Sequence, residues 1–259
     1  MISLLRLPAA LLALLAGCGT WLATALGAAA VFFFTKENER LMTLLLGFAA
    51  GVMLAASYWS LLAPAIELAE GTPLPSWLPA AAGFLAGALF LRLTDPLLGR
   101  LRRGGSGREC GMLILSVTLH NVPEGLAVGV AFGALAEEPT PERLLTAFGV
   151  ALGIGIQNFP EGAAVSLPLL REGRSRGRSF FLGQATGLVE PLSALLGALL
   201  VTLVQSLLPW ALSFAAGAMV LVAARELIPA CRGEGESWLG AMGVILGFAL
   251  MMLLDVALG

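Results

Sequence analysis

An all-α membrane protein is the fold class this sequence predicts: eight transmembrane helices in one bundle, making a single domain over residues 1–259. Three observations predict it. Of the 259 residues, 58% are apolar and only 12% charged, against roughly 25% charged in a soluble domain, and the mean hydropathy is +0.90. Apolar runs meeting the about 20 residues needed to cross hydrocarbon occur eight times along the chain. The links between them are short and carry the turn-formers and charges, so no length is left for a separate soluble domain.

The runs cover 8–34, 41–69, 76–98, 111–136, 143–170, 180–206, 209–230 and 237–258. Within the first, Leu15-Ala16-Gly17-Cys18 has the form of a lipoprotein lipid-attachment box. The run continues through Phe34, which suits a first transmembrane helix better than a cleaved signal. It gives way to Lys36-Glu37-Asn38-Glu39-Arg40. The second closes on Glu67 and Glu70, solvated helix-end charges or a gathering point for cations, followed by turn-formers from Gly71 to Pro75. The third leads into the basic stretch Arg100 to Glu109, the fourth into the acidic Glu137 to Glu142, and the fifth into the basic Arg171 to Ser179. A tight link at Leu208 and Pro209 separates the sixth from the seventh, and Arg232 to Ser237 separates the seventh from the eighth.

Lys and Arg bias sets orientation, because cytoplasmic links hold the excess. The odd-numbered links, with Arg225 counted at the helix end, hold twelve of the fifteen basic residues, and the even links hold only Arg143. Odd links are therefore cytoplasmic, both termini lie outside, and the fourth and fifth spans are antiparallel. The expected location is a cell membrane, the inner membrane in a bacterium. The net charge of -2 points to no partner, and nothing supports nucleic-acid binding. Cys18, Cys110 and Cys231 are too scattered for a zinc knuckle or a disulfide framework. Glycines four apart, such as Gly47/Gly51, Gly83/Gly87 and Gly243/Gly247, let helix backbones approach closely in lipid. They imply a tight bundle and are compatible with a homodimer face.

Chemistry concentrates in two related stretches. His120-Asn121-Val122-Pro123-Glu124-Gly125 contains the sole histidine, and Gln157-Asn158-Phe159-Pro160-Glu161-Gly162 follows 37 residues on. Each continues into an Ala-Val pair, Ala127-Val128 and Ala164-Val165. Helical spacing puts His120 and Glu124 on one face, with Asn121 also three residues from Glu124, and the second copy repeats the arrangement. Each proline deprives the carbonyl four residues earlier, Leu119 or Ile156, of its helical donor. Glu190, before Pro191 in the sixth span, lies roughly 15 Å from the inner end of its helix, a depth close to that of Glu161.

Three unpaired carboxylates at mid-membrane would cost on the order of 8 to 10 kcal/mol on the insertion scale. No Lys or Arg occurs at matching depth, so a bound divalent cation or protonation must offset the charge. Imidazole, carboxylate and amide together suit Zn²⁺ or a similar first-row ion. The donor set does not rank Zn²⁺ against Cd²⁺, Fe²⁺, Mn²⁺ or Cu²⁺. Polar residues that merely tie helices together would explain one such group, but not four at one level in a duplicated pattern. An intramembrane metalloprotease needs His-Glu-x-x-His, which one histidine cannot supply, and no serine elbow Gly-x-Ser-x-Gly occurs. Transport is the reading preferred to catalysis. A passive metal-selective channel is the alternative that uses the same ligands.

The two motifs and the Glu190-Pro191 pair resemble the ZIP (ZRT/IRT-like) metal transporters, particularly the GufA-like branch, which the stretch from Ala50 to Ser60 also fits. The resemblance covers all eight runs. It implies passage of divalent metal into the cytoplasm through a binuclear site between the fourth and fifth spans, with those two spans moving against a scaffold that includes the second and seventh. Carried onto this chain, it implies one metal position formed by His120, Glu124, Gln157 and Glu161. A second would use Asn121, Asn158 and Glu190, with Glu124 and Glu161 as shared bridges. Some relatives have an aspartate where Asn158 stands, so this second position carries one fewer negative charge. The histidine-rich loop that many members carry after the third span is replaced by the short basic Arg100 to Arg108, and Arg225-Glu226-Leu227-Ile228-Pro229 stands where relatives often show paired acids.

Overall fold

The computed structural model describes residues 4–33, 39–70, 74–101, 106–136, 139–203, 205–231 and 237–258. Among the described residues the chain is helical, without a strand. Eight long helical stretches follow the eight apolar runs: α1, Ala9–Phe33; α2, Glu39–Ala69; α3, Trp77–Leu101; α4, Ser106–Gly133; α5, Pro141–Arg171; α6, Arg176–Thr202; α7, Leu208–Ala230; and α8, Ser237–Leu258. Five of them, α1, α2, α6, α7 and α8, are long and apolar enough to cross a membrane, and α3 contributes the shorter apolar segment Trp77–Leu93. In α5 the cluster Gln157, Asn158 and Glu161 itself lowers the hydropathy of the run.

Burial runs opposite to that of a water-soluble protein. Leu22 and Leu26 of α1, Leu85 and Leu93 of α3, Leu192 of α6 and Leu253 of α8 face outward, each more than half exposed, whereas Glu124, Gln157, Asn158 and Glu190 are completely enclosed. Such a surface belongs in hydrocarbon, with polar groups turned toward the bundle interior.

The most extensive helix contacts join α2 to α8, α4 to α6, α1 to α5 and α3 to α7, with further contact of α1 on α6, α2 on α7 and α4 on α5. Exchanging α1 with α6, α2 with α7, α3 with α8 and α4 with α5 maps this pattern onto itself. The chain is thus an inverted repeat around the α4–α5 pair, an arrangement typical of transporters. Local detail repeats as well. The Thr20 hydroxyl donates to Gly17 O at 3.0 Å in α1, and the Thr186 hydroxyl donates to Gly183 O at 2.7 Å in α6. A methyl added at Gly17 would stand 3.0 Å from Ala194 Cβ, and one at Gly183 would stand 3.0 Å from Ala28 Cβ.

In α2 and α7 the helix widens into a π turn, Ser57–Leu62 and Ala223–Leu227. Each turn closes two residues before a proline, Pro64 or Pro229. Proline has no N–H to offer the carbonyl four residues back, and the local rewinding accommodates the loss. α6 departs from the uninterrupted run expected over 180–206: a 3-10 turn, Thr186–Leu188, precedes a new α-helical segment beginning at Val189. Pro191 is the physical reason, since it leaves the Gly187 carbonyl without a helical donor. The spaced glycines find their partners inside the chain. Gly47 and Gly51 abut the α8 backbone at Gly240 and Val244, and Gly83 and Gly87 abut α7 at Trp210 and Phe214.

The links 102–105 and 232–236 lie outside the described residues, as do the side chains of Asp95, Cys110 and Glu226. Asp95, whose spacing from Arg92 is that of a local ion pair on one helix face, therefore falls there, as does Glu226, to which the sequence assigns no single role. Met53 and Ser57, which share a face of α2 by their spacing, are both buried, and the Ser57 hydroxyl donates back to Met53 O at 2.7 Å. They belong to the packed interior of α2.

Candidate metal site

Both polar motifs sit inside continuous helix: Pro123 within α4 and Pro160 within α5. Because α4 and α5 follow each other through a short connection and pack together, the motifs meet in one buried layer. Glu190 enters the layer from α6, in the first turn of the segment that restarts at Val189. There the N-terminal end of a helix favours a carboxylate. α4 and α6 nearly touch at this level, for a methyl on Gly125 would lie 2.6 Å from Glu190 O and 2.8 Å from Glu190 Cα.

Two hydrogen-bonded pairs organise the layer. Gln157 Nε2 donates to Glu124 Oε1 at 2.6 Å, and Asn158 Nδ2 donates to Glu190 Oε2 at 2.7 Å. One pair joins α4 to α5 and the other joins α5 to α6. Asn121 and Glu161 are buried as well, at 1% and 7% exposure. The backbone of His120 lies in α4, while its side chain is outside the described residues. Among the described residues, no three His, Cys, Asp or Glu side chains already converge as a metal-holding group; Glu124 and Glu190 each bond an amide instead.

Unused acceptors reveal what the layer can hold. Asn121 Oδ1, Glu124 Oε2, Gln157 Oε1 and Asn158 Oδ1 are all buried without a hydrogen-bond donor. A buried acceptor left unsatisfied costs about 1–3 kcal/mol, more when charged. A divalent cation satisfies several oxygen acceptors at once, and no apolar packing residue would. These four atoms on the two motif helices, three amide oxygens and one carboxylate oxygen, could serve a divalent cation as oxygen donors.

The first helix also reaches this layer, which the sequence reading did not foresee. The Thr24 hydroxyl donates to Glu190 Oε1 at 3.2 Å, Asn158 Nδ2 donates to Thr20 O at 3.3 Å, and the Thr20 hydroxyl lies beside the same Glu190 carboxylate. Trp21 Nε1 donates to Gln184 Oε1 at 3.0 Å, tying α1 to α6 one turn away. A sequence signal existed: Thr20 and Thr24 stand four apart on one face of an otherwise apolar helix.

A cavity of about 400 Å³ opens between α2, α4, α5 and α7, lined in part by Ser60, Glu67, Val130, Arg143, Thr146 and Leu212. Glu67 stands at it as an exposed side chain, whereas Glu70 is exposed and takes no part in the lining. Near the C-terminal end of α8, Asp255 is drawn toward α2: its Oδ1 accepts from the Ser60 hydroxyl at 2.6 Å.

Comparison with known proteins bears on these features together. Residues 107–255 match the family model described as ZIP Zinc transporter. The chain is similar to zinc transporter GufA of Myxococcus xanthus, 42% identical over 92% of this chain and 95% of that protein. It is also similar to zinc transporter ZIP11 of Xenopus tropicalis, 40% identical over 93% of this chain and 95% of that protein. Zinc transporter ZIPB of Bordetella bronchiseptica is 37% identical over 95% of this chain and 81% of its own length.

Proposed function

The chain belongs to the ZIP zinc transporter family and transports divalent metal, zinc foremost, and we propose that it does so through a binuclear site at mid-membrane between α4 and α5. One observation carries the proposal: four buried acceptor oxygens, on Asn121, Glu124, Gln157 and Asn158, lack donors in the layer where the two motifs meet. His120, Glu124, Gln157 and Glu161 form the first position. Asn121, Asn158 and Glu190 form the second, and Glu124 and Glu161 bridge the two.

In this reading the protein is a multi-pass membrane protein of eight spans with both termini outside, placed in the cell membrane, the bacterial inner membrane. Metal approaches from outside through the cavity beside Glu67 and is drawn to the carboxylates of the layer. To receive it, Gln157 and Asn158 turn their amide oxygens inward and release the carboxylate oxygens they now bond. Motion of α4 and α5 relative to α2 and α7 then opens the layer toward the cytoplasm. The π turns in α2 and α7 and the apolar contacts between the two groups provide surfaces that can slide. A homodimer, expected from the small-residue spacing, would use other faces, since those glycines are occupied within the chain.

The test is zinc uptake into proteoliposomes. Flux should saturate with Zn²⁺ and collapse in both Glu161→Ala and His120→Ala. Wild-type flux in both variants sinks the site assignment, while non-saturating flux with single-channel conductance replaces the carrier by a channel.

A further inference from the structure

The inverted repeat pairs the residues of the metal layer one to one, and it assigns a partner to Glu190. His120 corresponds to Gln157, Asn121 to Asn158 and Glu124 to Glu161 by their places in the two motifs. The motif glycines extend the correspondence to the flanking helices. A methyl at Gly125 of α4 would strike Glu190 O of α6, and one at Gly162 of α5 would strike Thr24 O of α1. Thr20 and Thr186 repeat the same hydroxyl-to-glycine bond four residues before these contacts. Thr24 therefore stands in its half where Glu190 stands in the other, and the two side chains meet, hydroxyl to carboxylate, at 3.2 Å.

Resting on the site reading above, we propose that Thr24 is a positioning residue for metal binding: it holds the Glu190 carboxylate against Asn158 and so sets the second metal position. Thr24 is 1% exposed and Glu190 is fully enclosed, so no water competes for the bond. Gly187 keeps the space open, because a methyl there would lie 2.9 Å from Glu190 Oε1 and 3.0 Å from Thr24 Oγ1. With Thr24 on Oε1 and Asn158 on Oε2, the carboxylate is fixed from two helices. A group that orients a metal ligand in this manner typically changes metal affinity by about 10- to 100-fold when removed. Glu190 is aimed by α1 as much as by its own helix, which makes α1 part of the cargo-binding body together with α4, α5 and α6.

The test uses full-length protein in proteoliposomes and reads the KM and the maximal rate of Zn²⁺ uptake separately. Thr24→Val keeps the shape and removes the hydroxyl; Thr24→Ser keeps the hydroxyl. Thr24→Val should raise KM by about tenfold or more with a smaller change in maximal rate, and Thr24→Ser should stay near wild type. In a Glu190→Gln background, Thr24→Val should add little, because its effect runs through that carboxylate. Gly187→Ala, which displaces the pair without removing either member, should reproduce the rise in KM. Unchanged KM in Thr24→Val while Glu190→Gln raises it overturns the proposal and leaves the site reading standing. Additive losses in the double variant overturn it equally. Wild-type KM in Glu190→Gln itself removes Glu190 from the metal site, and the proposal falls with that part of the reading.

Discussion

Replacing Gly125 by alanine should damage transport far more than its size suggests, and the structure gives the reason. The added methyl would lie 2.6 Å from Glu190 O, 2.8 Å from Glu190 Cα and 2.8 Å from Ser193 Cβ. Comfortable carbon contacts fall at roughly 3.5–4.0 Å, so α4 and α6 must part by about 1 Å at the level of the carboxylates. Backbone atoms form two of the three contacts, so rotation of a side chain cannot relieve them. Overpacking of this kind costs about 1–3 kcal/mol, against a gain of about 1 kcal/mol from replacing a helical glycine by alanine. Stability should fall modestly. Function should fall more, because displacing a positioned group by about 1 Å can cost on the order of 100-fold. The matched control is Gly19→Ala on α1, where the added methyl meets nothing within 4 Å. Its thermal midpoint should hold or rise. The assays are detergent thermal melts and Zn²⁺ uptake into proteoliposomes, with both variants in parallel. A Gly125→Ala protein that melts and transports like Gly19→Ala would refute the close α4–α6 approach and the placement of Glu190 that depends on it.

Gln157→Leu removes the amide that donates to Glu124 at 2.6 Å in a fully buried position. The variant should lose about 1–3 kcal/mol of stability, read as a lower melting midpoint without added zinc; an unchanged or higher midpoint argues against the pair. Zinc itself should stabilise the wild type, by about 2.7 kcal/mol at a hundredfold excess over its dissociation constant, and the shift should vanish in Glu124→Gln combined with Glu161→Gln. A full shift in that double variant places the zinc elsewhere. Ser60→Ala strips Asp255 of the hydroxyl that donates at 2.6 Å between α2 and α8, so it should lower the melting midpoint. Adding Asp255→Asn should recover part of the loss, and no recovery would show that Ser60 acts through packing alone.

Helix positions were legible in the sequence because hydropathy and the polar links mark where the chain enters and leaves hydrocarbon. The duplicated motifs stood out for the same reason: Glu124 and Glu161 are expensive in an apolar run, so their recurrence with Asn, Pro and Gly at fixed places invites a shared purpose. Contacts that depend on three-dimensional register were not legible. Nothing in the spacing of Gly17, Gly125 or Gly162 states that they face Ala194, Glu190 and Thr24, since glycine spacing records only that something comes close. Threonine is cheap enough in a membrane helix to pass as packing, which is why Thr20 and Thr24 escaped notice while the carboxylates did not. The interruption before Glu190 was foreshadowed by Pro191, yet the same signal at Pro123 and Pro160 leaves α4 and α5 continuous. A proline removes one donor, and neighbouring helices decide whether the chain rewinds around the loss or stays helical.

The two halves share an architecture and differ in chemistry, and the differences fall at two of the paired positions. Asn121 matches Asn158 and Glu124 matches Glu161, so these four can serve a cation alike from either side of the α4–α5 interface. His120 opposite Gln157 and Glu190 opposite Thr24 cannot. A strictly symmetric layer would present the same ligands whichever side opened, and nothing in the ligands would distinguish arrival from departure. In the proposed site, Glu190 on α6 would add a carboxylate to the second position and His120 on α4 would add a nitrogen ligand to the first. A cation shifting between the proposed positions exchanges a nitrogen-containing set for an all-oxygen one, while the Glu124 and Glu161 bridges stay with it throughout. For a borderline-soft ion such as Zn²⁺ the nitrogen set is the better fit, so the first position should hold the cargo and the second should be where it is received or released.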